Sequence, residues 1–112
     1  MRIDHIALCV RDLEAMRDFY IKYFGAVAGE LYHNPRTGLR TYFLTFDGET
    51  RVELMQKPDA LPGGVELREG WAHLSFTLGS RGAVDAATER LRAAGCAVES
   101  GPRVTGDGYY ES

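Results

Sequence analysis

The hexapeptide IDHIAL at residues 3–8 has a close counterpart in WAHLSF at residues 71–76. Each carries a histidine at its third position, followed by apolar side chains that alternate with a small one. A period of two is typical of a β-strand that buries one of its faces. Because the two segments match in pattern and in the position of the histidine, the chain is predicted to contain an internal repeat.

The first half of the chain is predicted to form a βαβββ module. The strand at residues 3–10 is followed by Asp12, a helix N-cap residue, and by a helical run of apolar residues that ends at Gly25. The later segments are rich in β-formers and are separated by turn residues. They predict strands at residues 26–33, 39–46 and 50–56, with a turn at 34–38 and a hairpin around Asp47-Gly48.

The second half repeats this order but is shorter. A strand is predicted at residues 71–78, a helix from the N-cap Ser80 to Gly95, and a strand at 96–100. In the register of the repeat, the counterpart of Glu53 falls beyond Ser112, so the second module is predicted to lack its last strand. The strand edge left unpaired favours assembly into a homodimer.

The predicted fold class is therefore α+β, with two βαβββ modules in one domain over residues 1–112. Module 1 covers about residues 1–56, and module 2 covers about residues 70–112. Residues 57–69 contain two prolines and paired glycines without hydrophobic periodicity, which is typical of a linker.

Composition excludes several classes of protein. The 112 residues are 45% hydrophobic and 26% charged, as in a folded soluble domain. The net charge of −3, without a dense basic patch, argues against nucleic-acid binding. No run is long enough for a membrane span, and early charges interrupt any signal peptide, so we expect a cytoplasmic protein. Cys9 and Cys96 are expected to be buried free thiols.

Three side chains are candidates for a metal site: His5, Glu53 and His73. Each lies on the face of its predicted strand opposite the apolar residues, so a curved sheet would bring them into one concavity. Two imidazoles and a carboxylate suit a divalent Zn, Ni, Co, Mn or Fe ion. The alternative is structural: histidines that only form hydrogen bonds, and a Glu53 that pairs with Arg51 or Arg40.

Other residues have weaker patterns. Four arginines could recognise an anionic group of a substrate or could simply be solvated: Arg36, Arg40, Arg51 and Arg103. Tyr109 and Tyr110 could line a pocket, although packing as strand aromatics is the simpler interpretation. His33 adjoins a turn and is expected at the surface. No motif supports a covalent nucleophile.

Taken together, five segments resemble the vicinal oxygen chelate superfamily, and they are distributed along nearly the whole chain: residues 3–8, 12–14, 51–55, 71–76 and 106–112. That superfamily includes lactoylglutathione lyases, fosfomycin and bleomycin resistance proteins, extradiol dioxygenases and methylmalonyl-CoA epimerases. The resemblance implies two βαβββ modules in a curved mixed sheet around a metal, often assembled across a dimer.

The resemblance also implies which residues bind the metal. It carries His5, Glu53 and His73 onto three ligand positions of the family. The fourth, a glutamate of the last strand, has no counterpart before Ser112. Glu111 is the nearest remaining carboxylate and the candidate substitute, although its register places it one strand too early. In a dimer the site could be shared, with His5 and Glu53 of one chain approaching His73 of the other.

The implied activity is that of a metal-dependent, glyoxalase-like lyase or isomerase acting on a small oxygen-chelating substrate. A carboxylate at Glu53 favours proton transfer through a metal-stabilised enediolate, with Glu53 as the catalytic group. Two alternatives stay open: a metal-free binding module of the antibiotic-sequestering kind, and another activity of the superfamily such as that of a dioxygenase or epimerase.

Overall fold

The computed structural model describes residues 1–63 and 70–112. The chain divides into two compact units, Met1–Val65 and Glu66–Ser112. Two helices and seven strands occur in the described ranges, which confirms the predicted α+β class. Neither helix is long and apolar enough to cross a membrane. Part of the predicted linker, residues 64–69, lies outside the described residues.

The first unit has the predicted βαβββ order, with one strand divided in two. Its elements in chain order are β1 (His5–Cys9), α1 (Leu13–Phe24), β2 (Val27–Ala28), β3 (Tyr32–His33), β4 (Arg40–Thr45) and β5 (Arg51–Gln56). The hairpin predicted around Asp47-Gly48 joins β4 to β5 and is confirmed.

A bulge explains why the predicted strand at residues 26–33 is divided. Ala28 pairs with Leu44 and Tyr32 pairs with Thr41, so three residues on one side oppose two on the other. This extra residue interrupts the ladder between β2 and β3, as a bulge does. Gly29 still donates its N–H to the carbonyl of Phe43 at 2.8 Å.

Local sequence signals set both ends of α1. The Asp12 side chain accepts a hydrogen bond from the amide of Ala15 at 2.9 Å and so caps the first turn. Gly25 adopts the left-handed conformation with φ of 66°, which ends the helix at low steric cost. The helix covers one face of the sheet, where Leu44 and Leu54 are completely buried.

The sheet of the first unit is mixed, and its strand order is β1-β5-β4-β2, with β3 also paired to β4. The β1–β5 pair is parallel, and the other pairs are antiparallel. The parallel register sets His5 beside Arg51 and Ala7 beside Glu53. Because side chains alternate along a strand, these residues share the face opposite α1.

The second unit has a capped helix and a small hairpin. Ser80 caps α2 (Arg81–Ala93) by accepting a hydrogen bond from Ala83, and Gly95 follows the C-cap, as expected from the sequence. The hairpin consists of β6 (Arg103–Val104) and β7 (Tyr110–Glu111).

Two strands predicted in this unit are absent from the described structure. Residues 71–78 and 96–100 adopt no strand. In the first unit β1 is held by the ladder to β5. The segment 71–78 pairs with no strand of the described residues, so its backbone groups form no ladder there.

Two predictions of burial are also wrong. Cys9 is exposed, because it shares the sheet face of His5, which α1 does not cover. Cys96, also expected to be buried, is only half-buried. On α2, the buried position is Thr88. The Thr88 hydroxyl donates to the Val84 carbonyl at 2.8 Å, so a polar residue can occupy the buried side of the helix.

Candidate metal centre

His5 and Glu53 lie side by side on the sheet face opposite α1. His5 is the first residue of β1, and Glu53 is in the middle of the adjacent β5. The Nε2 atom of His5 and the Oε2 atom of Glu53 are 3.8 Å apart. The His5 side chain is 41% exposed and that of Glu53 is 15% exposed. Two residues separated by 48 positions thus form a pair that solvent or a ligand can reach.

The other ring nitrogen of His5 contacts Asp4. The Nδ1 atom lies 3.0 Å from Asp4 Oδ2, and the same oxygen accepts a hydrogen bond from Arg51 Nη2 at 2.5 Å. These two hydrogen bonds, first that of His5 and then that of Arg51, lower the pKa of Asp4 from 3.8 to about 2. Asp4 is therefore a carboxylate at neutral pH.

Phe43 completes this group of contacts from β4. Its ring meets the His5 ring edge-on, with centroids 5.3 Å apart and an interplanar angle of 88°. The Arg51 guanidinium lies over the same ring, 4.4 Å from its centroid. Phe43 pairs with Glu53 in the β4–β5 register, and His5 pairs with Arg51 in the β1–β5 register, so paired strands position these four side chains.

The spacing of the His5–Glu53 pair fits a shared metal ion. Bonds from a divalent zinc ion to imidazole nitrogen and carboxylate oxygen are about 2.0–2.2 Å, so two ligand atoms of one ion lie roughly 3–4 Å apart. The 3.8 Å between Nε2 and Oε2 is within that range. Within residues 1–63 and 70–112, however, no group of three His, Cys, Asp or Glu is close enough to hold an ion.

The third predicted ligand belongs to the second unit. His73 is exposed and lies in the segment without strand structure, so its predicted position in the middle of a strand is wrong. Its participation in a site with His5 and Glu53 stays a prediction. Glu111, in β7 of the same unit, is 3.5 Å from Arg103.

The arginine pairing considered for Glu53 is not found. Arg51 bonds to Asp4, and Arg40 bonds to Glu14 at 2.8 Å on the helix side of the sheet. Neither arginine forms an ion pair with Glu53. The titratable side chain that contacts Glu53 is His5, at 3.8 Å.

The other candidate residues, His33, Tyr109 and Tyr110, either lie at the surface or pack against neighbouring side chains. His33 is exposed in β3, as expected. The hydroxyl of Tyr110 donates to Asp85 at 2.6 Å, and Arg81 lies over its ring, so Tyr110 packs as a strand aromatic. Tyr109 is exposed.

Two contributors to the candidate centre were missed from the sequence: Asp4 and Phe43. Strand alternation assigns Asp4 to the opposite face from His5, but Asp4 precedes β1 and its side chain can turn back toward the ring. Phe43 could have been found by pairing the strands on either side of the Asp47-Gly48 hairpin, since that pairing sets Phe43 opposite Glu53.

A cavity of about 560 Å³ lies at the carboxyl end of β1 in the first unit. Its lining includes Cys9, Arg11, Gln56 and residues of the 57–63 segment, but neither His5 nor Glu53. This cavity therefore lies at the other end of β1 from His5.

Sequence comparisons relate the chain to known proteins. The family model described as Glyoxalase/Bleomycin resistance protein/Dioxygenase superfamily matches residues 2–112. An uncharacterized protein of Pseudomonas aeruginosa is 32% identical over 97 residues, which cover 86% of this chain and 67% of the relative.

Two solved structures are similar in fold. Glyoxalase I of Leishmania major, a trypanothione-dependent enzyme, has a TM-score of 0.75 at 20% identity and covers 99% of this chain and 84% of its own. A fosfomycin resistance protein of Listeria monocytogenes, in complex with Mn(II) and a dihydroxypropylphosphonic acid, has a TM-score of 0.69 at 25% identity. That match covers 92% of this chain and 77% of the Listeria protein.

Proposed function

The chain belongs to the Glyoxalase/Bleomycin resistance protein/Dioxygenase superfamily, and on that premise we propose that it is a metal-dependent, glyoxalase-like lyase or isomerase. Its substrate is a small molecule with oxygen atoms that can chelate a metal. The observation that carries this proposal is the His5–Glu53 pair, whose Nε2 and Oε2 atoms are 3.8 Å apart on an open sheet face.

In this proposal, His5 Nε2, a Glu53 carboxylate oxygen and His73 hold a divalent Zn, Ni, Co, Mn or Fe ion. When bound, the ion supplies a Lewis acid that polarises a substrate carbonyl. The Listeria relative was solved with Mn(II), which supports a divalent ion in this fold. The mixed set of nitrogen and oxygen donors also suits such ions.

Glu53 is the catalytic group that moves the proton. Removal of a proton from the carbon next to a carbonyl requires a base within reach of that proton, and a carboxylate is a suitable base. The Glu53 side chain is mostly shielded by the sheet, whereas the adjacent His5 is more open. A substrate that enters from the His5 side would therefore meet the carboxylate at a partly desolvated position.

We further propose that the protein is a cytoplasmic homodimer with a shared site. In the described sheet of the first unit, β1 lies at one edge. An unpaired edge favours association with another chain, and a twofold dimer is the commonest closed assembly. His5 and Glu53 of one chain would then approach His73 of the partner chain.

Metal titration tests the enzyme proposal. Purified protein should bind one divalent ion per site, and His5→Ala or His73→Ala should lower the metal affinity more than tenfold, since each removes a ligand. His33→Ala is the matched control, because His33 is exposed and lies in β3, which β4 separates from β5. If wild-type protein binds none of the five ions, the enzyme proposal fails and the metal-free binding module takes its place.

Mixing two variants tests the shared site. His5→Ala and His73→Ala protein should each be inactive alone, and subunit exchange should restore metal binding in hybrid dimers that contain one intact ligand set. A monomer by light scattering would contradict the homodimer. Proven exchange without recovered binding would contradict only the sharing of ligands.

A further inference from the structure

In the described part of the first unit, Asp4 is the one carboxylate that contacts the Nδ1 atom of His5. Its Oδ2 atom is 3.0 Å from His5 Nδ1 and 2.5 Å from Arg51 Nη2. An ionised carboxylate only accepts hydrogen bonds, so the Nδ1 atom must be the donor in this contact. A neutral imidazole with its proton on Nδ1 keeps a free electron pair on Nε2.

The contact on the opposite side of the ring agrees with this assignment. His5 Nε2 and Glu53 Oε2 are 3.8 Å apart, which is too long for a hydrogen bond. No proton on Nε2 is needed to explain that spacing. The electron pair of Nε2 and the Glu53 carboxylate instead face a common volume, which is what two ligands of one cation require.

Asp4 itself is held by groups of the sheet. Arg51 donates to the carboxylate while its guanidinium lies over the Phe43 ring, and that ring meets His5 edge-on. The four side chains form a closed circuit of contacts: His5, Asp4, Arg51 and Phe43. Because each member touches two others, rotation of the imidazole away from Glu53 would break the Asp4 hydrogen bond and the Phe43 contact together.

We propose that Asp4, anchored by Arg51, is the positioning residue that keeps the proton of His5 on Nδ1 and directs Nε2 toward the metal. Its role toward the metal rests on the proposed function, whereas the hydrogen bond to His5 does not. Carboxylates that accept from the free nitrogen of a metal-binding histidine are a recurrent way to fix its tautomer and orientation.

Nitrogen-15 NMR of metal-free protein at pH 8.5 tests the tautomer directly. Wild-type His5 should carry its proton mainly on Nδ1, whereas Asp4→Ala should shift it to Nε2, the form that imidazole prefers in water. Asp4→Asn should keep most of the Nδ1 form, since an amide oxygen still accepts. Glu49→Ala, which removes an exposed carboxylate that contacts Arg2 and not His5, is the control and should change nothing.

A wild-type His5 that carries its proton mainly on Nε2 would overturn the proposal. So would an Asp4→Ala protein with an unchanged tautomer. Should Asp4→Ala fail to fold, Arg51→Gln provides the second variant, because loss of the anchor should lower the Nδ1 fraction without removing the carboxylate.

Metal affinity measured by calorimetry tests the second part of the proposal, that Asp4 directs Nε2 toward the metal. Asp4→Ala should weaken binding about 10- to 100-fold, and Asp4→Asn should weaken it less. Wild-type protein that binds no ion refutes the proposed function, while the NMR result still decides the role of Asp4 in the tautomer. Wild-type protein that binds an ion with an affinity unaffected by Asp4→Ala refutes the positioning role alone.

Discussion

The segments 5–9 and 73–77 have matching sequence patterns and different structures. The first is strand β1, paired in register with β5, and the second forms no strand in the described part of its unit. Their alternation of side chains is the same, so the difference does not arise within the segments. It arises from the partner, because a strand is stable only when a neighbour satisfies its backbone groups.

The helices that follow these segments, in contrast, form in both repeats. Asp12 caps α1 and Ser80 caps α2, each by accepting a hydrogen bond from the amide three residues later. A glycine in the left-handed conformation also lies at or just after each helix end. Helix boundaries depend on residues close in sequence, so both repeats form them regardless of what the strands do.

The partner strand should dominate the stability of the first unit. Leu54 of β5 is completely buried, so Leu54→Ala should lower the free energy of unfolding by about 2–5 kcal/mol. Leu74→Ala, in the unpaired segment, should cost under about 1 kcal/mol. Urea denaturation of both variants measures the difference, and equal losses would contradict the contrast between the segments.

Hydrogen exchange should separate the two segments amide by amide. The Val10 amide donates to the Met55 carbonyl at 2.8 Å, whereas Leu78, at the equivalent position of the repeat, donates no such bond to a described residue. In the 112-residue chain, Val10 should exchange on the order of 100-fold more slowly relative to its intrinsic rate. Comparable protection of Leu78 would mean that the second segment has a strand partner in solution.

The two helix caps should contribute equally to the free energy of unfolding, in contrast to the two strand segments. Asp12→Ala and Ser80→Ala should each cost about 1 kcal/mol, because each leaves one amide of the first turn without its acceptor. Thermal unfolding followed by circular dichroism provides the measurement. A cost confined to one helix would show that the repeats differ in their local signals as well.

The smallest expected effect concerns Asp4, which the second repeat replaces with Ala72. Because its pKa is lowered to about 2, its interactions with His5 and Arg51 favour the folded state above pH 4 and are lost as the pH falls through about 2. Arg51→Gln should raise the pKa of Asp4 toward 3.8. NMR titration of metal-free protein measures it, with Arg36→Gln as a control that leaves the Asp4 pKa unchanged.

Features that depend on nearby residues could be predicted from the sequence. The limits of α1, the Asp47-Gly48 hairpin and the shared face of His5 and Glu53 all follow from capping, turn and alternation patterns. The bulge between β2 and β3 could not, since it depends on the register against β4. The prediction of a strand at 71–78 was wrong for a related reason, because the alternation of side chains carries no information about a partner strand.

The residues of the candidate centre differ in the same way in how far the sequence predicts them. His5 and Glu53 were identified by residue type and face, which alternation supplies. Asp4 was not, because its side chain turns back at the residue before β1, where strand geometry no longer determines its direction. Family membership relates the chain to the Glyoxalase/Bleomycin resistance protein/Dioxygenase superfamily, but only the structure shows which neighbours hold the imidazole.

The parallel pairing of β1 with β5 joins the first and last strands of the first unit. His5 and Glu53 can meet only after the intervening chain has closed a loop, and contacts of such long sequence separation carry a loop-closure cost that slows folding. The pair is therefore absent from any partly folded state that lacks this closure. An ion that requires both residues binds only the closed form, so its concentration should act directly on the folding equilibrium of the unit.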